Sequence, residues 1–416
     1  MRIVVLGGGV MGVTTAYYLA AEGHEVVVLD RQKAVAQETS FANAGLIAPG
    51  HVYAWASPRA PMILLKSLYR DDTSLRFRLK ADPRLWAWSL RFLANCTAAR
   101  NRKNTLRKLS LCLYSQKMLK ELSAEAKLDY DHTAAGLLYL YRDKAHFDIG
   151  VANMAMLNDH GMSLQAIDPA RIAELEPQLA HAKDKLAGAI YSPTDESGDC
   201  RKFTERVAVA AVGKNVVFML DHDIRRIEFA GDRISGVATD KGRIEGDAYV
   251  LALGSYSPLL ASPLGIRLPI YPIKGYSVTL PIEDHKGAPT VAGVDEKNLV
   301  AYARLGDRLR LTATADFAGY DTSYEAGNFA HMLRVARDLF PTAAAYDKPD
   351  YWACLRPMTP EGTPILGRCR MKNLYLNTGS GHMGFTMSAG CARILTDIIA
   401  GRNPAIDING LTIERY

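Results

Sequence analysis

Apolar residues run without interruption from Ile3 to Leu6 and give way to Gly7, Gly9 and Gly12 in G-x-G-x-x-G spacing. Ala16, Leu19 and Ala20 then recur at helical intervals, Gly23 ends that helix, and Glu25 to Leu29 form a second apolar run closed by Asp30. This pattern predicts buried strand, tight turn, helix and buried strand. Farther on, residues 105–126 place Leu106, Leu109, Leu113, Met118 and Leu122 near one helical face, and 136–141 read as a strand. SPTDESGDCRKFTERVAVAA predicts a turn and then a helix with Asp199 near its start. Residues 215–220, 225–229, 234–239 and 243–245 alternate as a strand meander leading into a buried strand at 248–253 and a turn at Gly254. Residues 271–280 and 298–314 are expected in a second sheet, carrying Tyr276, Tyr302, Arg304 and Arg310. Near the end, strand 374–377 runs into Gly379-Ser380-Gly381-His382-Met383-Gly384 and an apolar helix, so strand, glycine turn and helix occur twice.

The opening pattern carries chemistry. In such a unit Gly7 permits the turn, Gly9 lets the backbone approach a pyrophosphate, and Gly12 lets helix and strand pack closely. The first helical amides, at Val10 and Met11, then face the phosphates. Asp30, 18 residues past Gly12, is placed to accept from ribose hydroxyls. Arg31 can mark a 2′-phosphate, but the acid beside it would repel one, so it reads as a solvated or adenine-stacking side chain. After Asp30 an NAD domain would start another helix–strand unit. Here a loop of small residues follows instead, with donors at Thr39, Ser40, Asn43, Ala44, Gly45 and Leu46 suited to a flavin's phosphates and ring edge. FAD is expected, with Gly254 turning beneath it.

At 416 residues the chain is long for one core, and the recurring strand pattern suggests a nucleotide domain interrupted by insertions. The expected fold is α/β. A Rossmann-type FAD domain takes residues 1–75, 165–265 and 355–416, and an inserted α+β substrate domain on a mainly antiparallel sheet takes 76–164 and 266–354. A net charge of +6 is mild, favouring anionic ligands or an acidic lipid surface, and no nucleic-acid partner is expected. Six scattered cysteines show no zinc spacing and suit reduced thiols. No apolar run approaches the ~20 residues that span a bilayer, and the N-terminus is no signal peptide. A cytoplasmic protein is expected. Residues 75–103 mix Trp86, Trp88, Phe92 and Leu93 with eight basic residues, with Pro83 as a break. That stretch fits either a helix on the inner membrane surface or one packed on its own domain under Arg and Lys stems.

Arg356 sits between apolar neighbours, with Glu361 the only nearby acid, which points to a guanidinium that clamps a carboxylate. The turn 379–384 and Thr386 beyond it offer a helix N-terminus to a flavin's carbonyl edge. His382 there is a base or a simple hydrogen-bond donor. Asp195, Glu196 and Asp199 look like a metal cluster, but no histidine is near in sequence and capping accounts for them.

Long stretches now show a resemblance: VVLGGGVMGVTTAYYL, ETSFANAGLIAPG, DESGDC, ALGSYS, YPIKGYSVTLPI, LRPMTPEGTPILGR and NLYLNTGSGHMGFTMSAG. Nearly the whole chain resembles the bacterial FAD-dependent D-amino acid dehydrogenases of the D-alanine-oxidising type, within the glycine oxidase, sarcosine oxidase and D-amino acid oxidase superfamily. The resemblance implies a glutathione-reductase-like FAD domain and oxidative deamination, with hydride passing from Cα to flavin N5. Imine hydrolysis then gives 2-oxo acid and ammonia, and a quinone-type acceptor reoxidises the flavin. It also implies that Arg356 grips the substrate carboxylate and Tyr302 contacts it. Lys274 and Gly275 lie near the flavin ring, Gly381 to Gly384 at its pyrimidine edge, and His51 and Tyr53 in the pocket wall. The chain departs from the family pattern at Glu361, where Asp is usual, and at Thr312-Ala313, where a Gly-Gly pair is usual. Cys354 stands where these dehydrogenases have glycine and where monomeric sarcosine oxidases attach FAD covalently. A non-covalent FAD and a link through Cys354 both stay open, as does a sarcosine-, D-proline- or hydroxyproline-type substrate. A nicotinamide dehydrogenase and a non-catalytic flavin module are the rival classes.

Overall fold

The computed structural model describes residues 1–67, 75–77 and 81–416. β1 (Arg2–Leu6) and β2 (Glu25–Leu29) lie at the middle of a six-stranded sheet ordered 365–368, 374–378, 248–251, β1, β2, 217–219. Its neighbours are parallel except Ile365–Arg368, which runs antiparallel at one edge. Strand alternation splits the apolar residues between two cores. Ile3 and Val5 face α1 (Val10–Ala21) and the helices Cys200–Val212 and Gly384–Ile399. Val4 and Leu6 face an antiparallel sheet of three strands, 224–230, 233–239 and 242–244. The expected first strand of that meander lies elsewhere: Val217–Met219 pairs in parallel with β2, and Asp221 at φ 57° then turns the chain to the other face.

α2 (Ala60–Ser67) and α3 (Pro83–Asn95) share one apolar cluster through Ala60, Leu85, Trp88 and Phe92. Pro83 starts α3 rather than breaking it. Asp82 accepts from the Arg84 N–H as N-cap, and the proline occupies the first turn, where its missing donor costs nothing. Residues 78–80 of the basic stretch lie outside the described residues. α4 (Ala98–Glu125) packs along Gly384–Ile399. Its buried stripe is Thr105, Lys108, Leu109, Cys112, Ser115 and Leu119, with Leu106, Leu113 and Met118 only flanking it. The helices approach closely because a Cβ on Gly390 would stand 2.6 Å from that of Ser115.

The second sheet is ordered 350–358, 271–281, 308–316, 300–305, 292–295, 137–141, 188–192, 165–167, with 75–76 beside 308–316. Its pairings are antiparallel except 292–295 with 137–141 and 75–76 with 308–316. The stretch 298–314 is a hairpin, Val300–Leu305 and Arg308–Asp316, turning at Gly306. The sequence division at 165 therefore falls inside this sheet, because 165–167 and 188–192 pair with 137–141 at its far edge. α4, expected in the substrate domain, shares the core of the first sheet instead. The two sheets face each other across a cavity.

Gly12 does not line that cavity. A Cβ there would lie 1.9 Å from the Gly7 carbonyl oxygen, which is fixed backbone. Gly12→Ala is expected to cost roughly 3 kcal/mol or more, read as a lowered thermal unfolding midpoint.

Candidate active site

The cavity measures about 830 Å³ and takes its walls from both sheets. At one end lie Gly7, Gly9, Val10 and Met11. Gly7 holds φ 118°, and a Cβ would sit 2.6 Å from the Ala252 oxygen. α1 starts at Val10 with no side chain capping it from Gly9, so its first-turn amides lie at the cavity. The Val10 N–H donates to Ser40 Oγ at 3.0 Å. Asp30 accepts from the Gly8 and Gln32 amides at 2.6 and 2.8 Å; burial raises its carboxyl pKa against those bonds. Arg31 is exposed and lines the cavity. Its guanidinium pairs with Glu38 at 2.6 Å and lies 4.1 Å from the centroid of the Tyr256 ring.

Ser40, Asn43, Ala44, Gly45 and Leu46 also line the cavity. Some of their expected donors are already engaged: Thr39 Oγ1 donates to the Leu355 carbonyl, and Asn43 Oδ1 accepts from the Gly45 amide. Gly254 and Gly275 form part of the wall, as does the turn Gly381 to Gly384 with Thr386. Thr386 ties Leu46 and Ala48 to the carboxy-terminal helix. His382 stacks on Trp55 at 4.8 Å and leaves its Nε2 without a partner. Burial, reinforced by Lys108, His51 and Arg356, holds this imidazole well below its ordinary pKa and therefore neutral.

Arg356 projects from Asp350–Met358 into the same space. Its Nη1 donates to the Thr314 carbonyl at 2.7 Å, and no carboxylate among the described residues pairs with it. Burial lowers its pKa. The site is prepared locally. A bulge opposite Gly275 sets Thr314 at φ 66°, an outlying conformation for a β-branched residue, and a Cβ on Gly275 would meet the Arg356 guanidinium at 2.5 Å. Cys354 also reaches the cavity. Burial raises its thiol pKa, with Arg356 pulling the other way.

His51 and Tyr53 line the cavity as well. His51 Nε2 meets Glu296 Oε1 at 2.8 Å and its ring stacks on Tyr139 at 5.0 Å. Burial disfavours the imidazolium, but Glu296 outweighs it and the pKa is raised. The Tyr139 hydroxyl donates to Asp195, which also accepts from the Gly50 amide. Lys108 is 1% exposed, has only a 3.4 Å contact to the Tyr53 carbonyl, and is pushed by burial down to about 8.

Three expected site residues lie elsewhere. Tyr302 points to the opposite face of Val300–Leu305, onto Phe340 at 4.9 Å, while its neighbour Ala301 faces the cavity. Reaching the cavity would need a one-residue register slip. Lys274 is buried outside the cavity, its ammonium held by Asp321 and the Ser323 carbonyl. Gly12 serves packing, as above. Of the supposed acidic cluster only Asp199 caps a helix; Glu196 pairs with Lys120 and with His132, a histidine distant in sequence. Glu361 binds Arg415, away from Arg356, whereas Thr312 and Ala313 do reach the cavity. Glu296, Tyr139 and Lys108 escaped the sequence reading; no local pattern marks them.

The family described as FAD dependent oxidoreductase matches residues 2–398. The chain belongs to that family. FAD is accordingly its cofactor, and the start of α1 at Val10 and Met11, beside the Gly7 and Gly9 cradle, fits the group. A protein of Mesorhizobium japonicum named D-amino acid dehydrogenase 2 is 46% identical over 412 residues, 99% of each chain. One of Paramagnetospirillum magneticum named D-amino acid dehydrogenase is 46% identical over 417 residues, 100% of this chain and 99% of the relative. The fold is similar to glycine oxidase from Geobacillus kaustophilus, with TM-score 0.77, 21% identity and coverage of 100% and 99%. It is also similar to L-proline dehydrogenase from P. horikoshii, with TM-score 0.76, 19% identity and coverage of 100% and 97%.

The unfolded chain binds the Lys108 proton more tightly than the folded one, so burying this ammonium costs roughly 3 kcal/mol below pH 8. That cost fades as pH rises toward 10.5, the ordinary lysine value. Lys108→Met is therefore expected to unfold later than wild type at pH 7, with an advantage that shrinks toward pH 10, measured by paired denaturant titrations.

Proposed function

We propose that this cavity performs FAD-dependent oxidative deamination of D-amino acids. Bound FAD supplies the hydride acceptor, leaving an imine that water hydrolyses to 2-oxo acid and ammonia. In this reading Gly7, Gly9, Val10 and Met11 hold the pyrophosphate, Asp30 the ribose, and residues 40–46, Gly254, Gly275 and 381–384 the remainder. Arg356 takes the substrate carboxylate in a bidentate contact and so fixes Cα. His51 and Tyr53 wall the space around the amino group, which must be neutral for hydride to leave. Enclosure keeps water out until the imine forms. FAD is held without a covalent bond, because attack by Cys354 needs a thiolate that burial disfavours.

The observation that carries the reading is Arg356: a guanidinium facing the cavity, with one backbone acceptor and no carboxylate partner among the described residues. The D-configuration is supported by the full-length relatives named above. Anaerobic D-alanine is expected to bleach the flavin bands while L-alanine leaves them. Arg356→Ala should lower kcat/KM about a hundredfold, equivalent to roughly 3 kcal/mol. Faster reduction by sarcosine or D-proline would move the substrate to the secondary amines, and unchanged turnover in Arg356→Ala would remove the clamp.

The electron acceptor we assign is a quinone at an anionic membrane surface, which the protein meets peripherally. No helix among the described residues is long and apolar enough to cross a membrane. Met62, Ile63 and Leu65 on α2 and Trp86, Leu90 and Leu93 on α3 are exposed, among Arg59, Lys66, Arg84 and Arg91. Ala60, Ile63, Leu64 and Phe92 of the same helices line the cavity, so a lipid surface here would stand beside the flavin. Co-sedimentation with anionic vesicles is expected at low salt, weakening at high salt and in Leu90→Ser. Absence of binding at both salt concentrations would refute surface attachment.

A further inference from the structure

The chamber that receives the amino acid has an acidic feature that deamination itself does not use. Glu296 follows directly on the strand Ala292–Asp295 and faces the cavity. His51 occupies its Oε1 at 2.8 Å, and no group among the described residues is bonded to Oε2. Tyr53, Tyr139 and Tyr141 line the same cavity, and burial raises the pKa of all three phenols, with Glu296 adding to the rise. An acid with a free oxygen, bordered by tyrosine side chains, matches what a cation seeks: a charge-assisted acceptor with aromatic surface beside it. Arg356 and His382 line the same cavity as His51 and Glu296. A guanidinium for one end of a ligand and a carboxylate for the other thus enclose a single space.

We propose that Glu296, framed by Tyr53, Tyr139 and Tyr141, is a cation subsite that takes the side-chain ammonium or guanidinium of a basic D-amino acid. The inference rests on the deaminase reading above for the placement of the carboxylate at Arg356. Lysine-, ornithine- and arginine-like D-amino acids are then favoured over apolar ones of equal length. Acidic D-amino acids are excluded by repulsion. Asn153 and Met156, also in the cavity wall, leave room for an unbranched stem.

The test uses FAD-loaded full-length protein and two carboxylates without an α-amino group, hexanoate and 6-aminohexanoate, followed by perturbation of the flavin absorbance. Wild type is expected to bind 6-aminohexanoate about tenfold more tightly than hexanoate. Glu296→Gln should lose that preference while keeping the hexanoate Kd, which also shows that the variant is folded. In turnover, the kcat/KM ratio of D-lysine to D-norleucine should fall about tenfold in the same variant, through KM. Equal binding of the two ligands by wild type, or a preference that survives in Glu296→Gln, would overturn the subsite. Failure of the carboxylate reading looks different: hexanoate would then bind neither wild type nor variant, or would bind Arg356→Ala as well as wild type.

Discussion

The parallel, in-register pairing of β1 with β2, 248–251 and 374–378 is the constraint on which the rest of the molecule depends. Parallel strands deliver their carboxyl ends to one edge, and ligands of such sheets bind outside that edge. Three turns therefore meet there although they are far apart along the chain: Gly7–Gly9, the turn at Gly254, and Gly379–Gly384. The bonding of Gly7 N–H to the Leu29 carbonyl and of Ala252 N–H to the Leu6 carbonyl carries the ladder to the brink of the cavity. The second sheet closes the space from above with the strands that bear Arg356, Thr314 and Gly275.

Charge around the cavity is distributed unevenly, and the unevenness has chemical meaning. Arg310 and Lys108 are buried and Arg356 is half-buried, none has a carboxylate partner among the described residues, and desolvation lowers the pKa of each. Arg310 leans on the Asn43 carbonyl and Thr279, Arg356 on the Thr314 carbonyl. Uncompensated buried charge is expensive, which is why most buried ions are paired. Here the expense falls beside a cavity whose proposed occupants are anionic, a pyrophosphate and a carboxylate. Acids that would cancel these cations are instead engaged in their own contacts: Asp195 by Tyr139 and Gly50, Glu196 by Lys120 and His132, Glu361 by Arg415.

Much of this was legible in the chain, and what was not has identifiable physical causes. The glycine spacing with its flanking apolar runs announced the first sheet, because turn, close approach and strand burial each leave a local mark. Asp30 and Arg356 stood out for the same reason: a polar residue where the neighbours are apolar. Tyr302 misled because alternation along a strand buried on both faces gives no sign of which face holds the cavity. Lys274 misled similarly, its ammonium drawn off by Asp321 from another loop. Lys108 reads as an ordinary surface position of a charged helix and is instead in the buried stripe, a fact set by where Gly384–Ile399 lies. Glu296 is simply one acid in a turn; only the folded chain brings it to His51, 245 residues away.

The central sheet draws its adjacent strands from residues 2–6, 248–251 and 374–378. As the chain leaves the ribosome, the sheet begun by β1 and β2 waits for 374–378 until more than 370 residues have been made. Until 217–251 have been made, Val4, Leu6, Val27 and Leu29 lack the strands that later cover and flank them, so the nascent protein carries an unpaired, apolar ladder of the kind that invites misassembly. Flavin capture, which needs the turn after 374–378, waits until that turn has emerged. The arrangement that gathers distant turns around one cofactor thus also delays its acquisition.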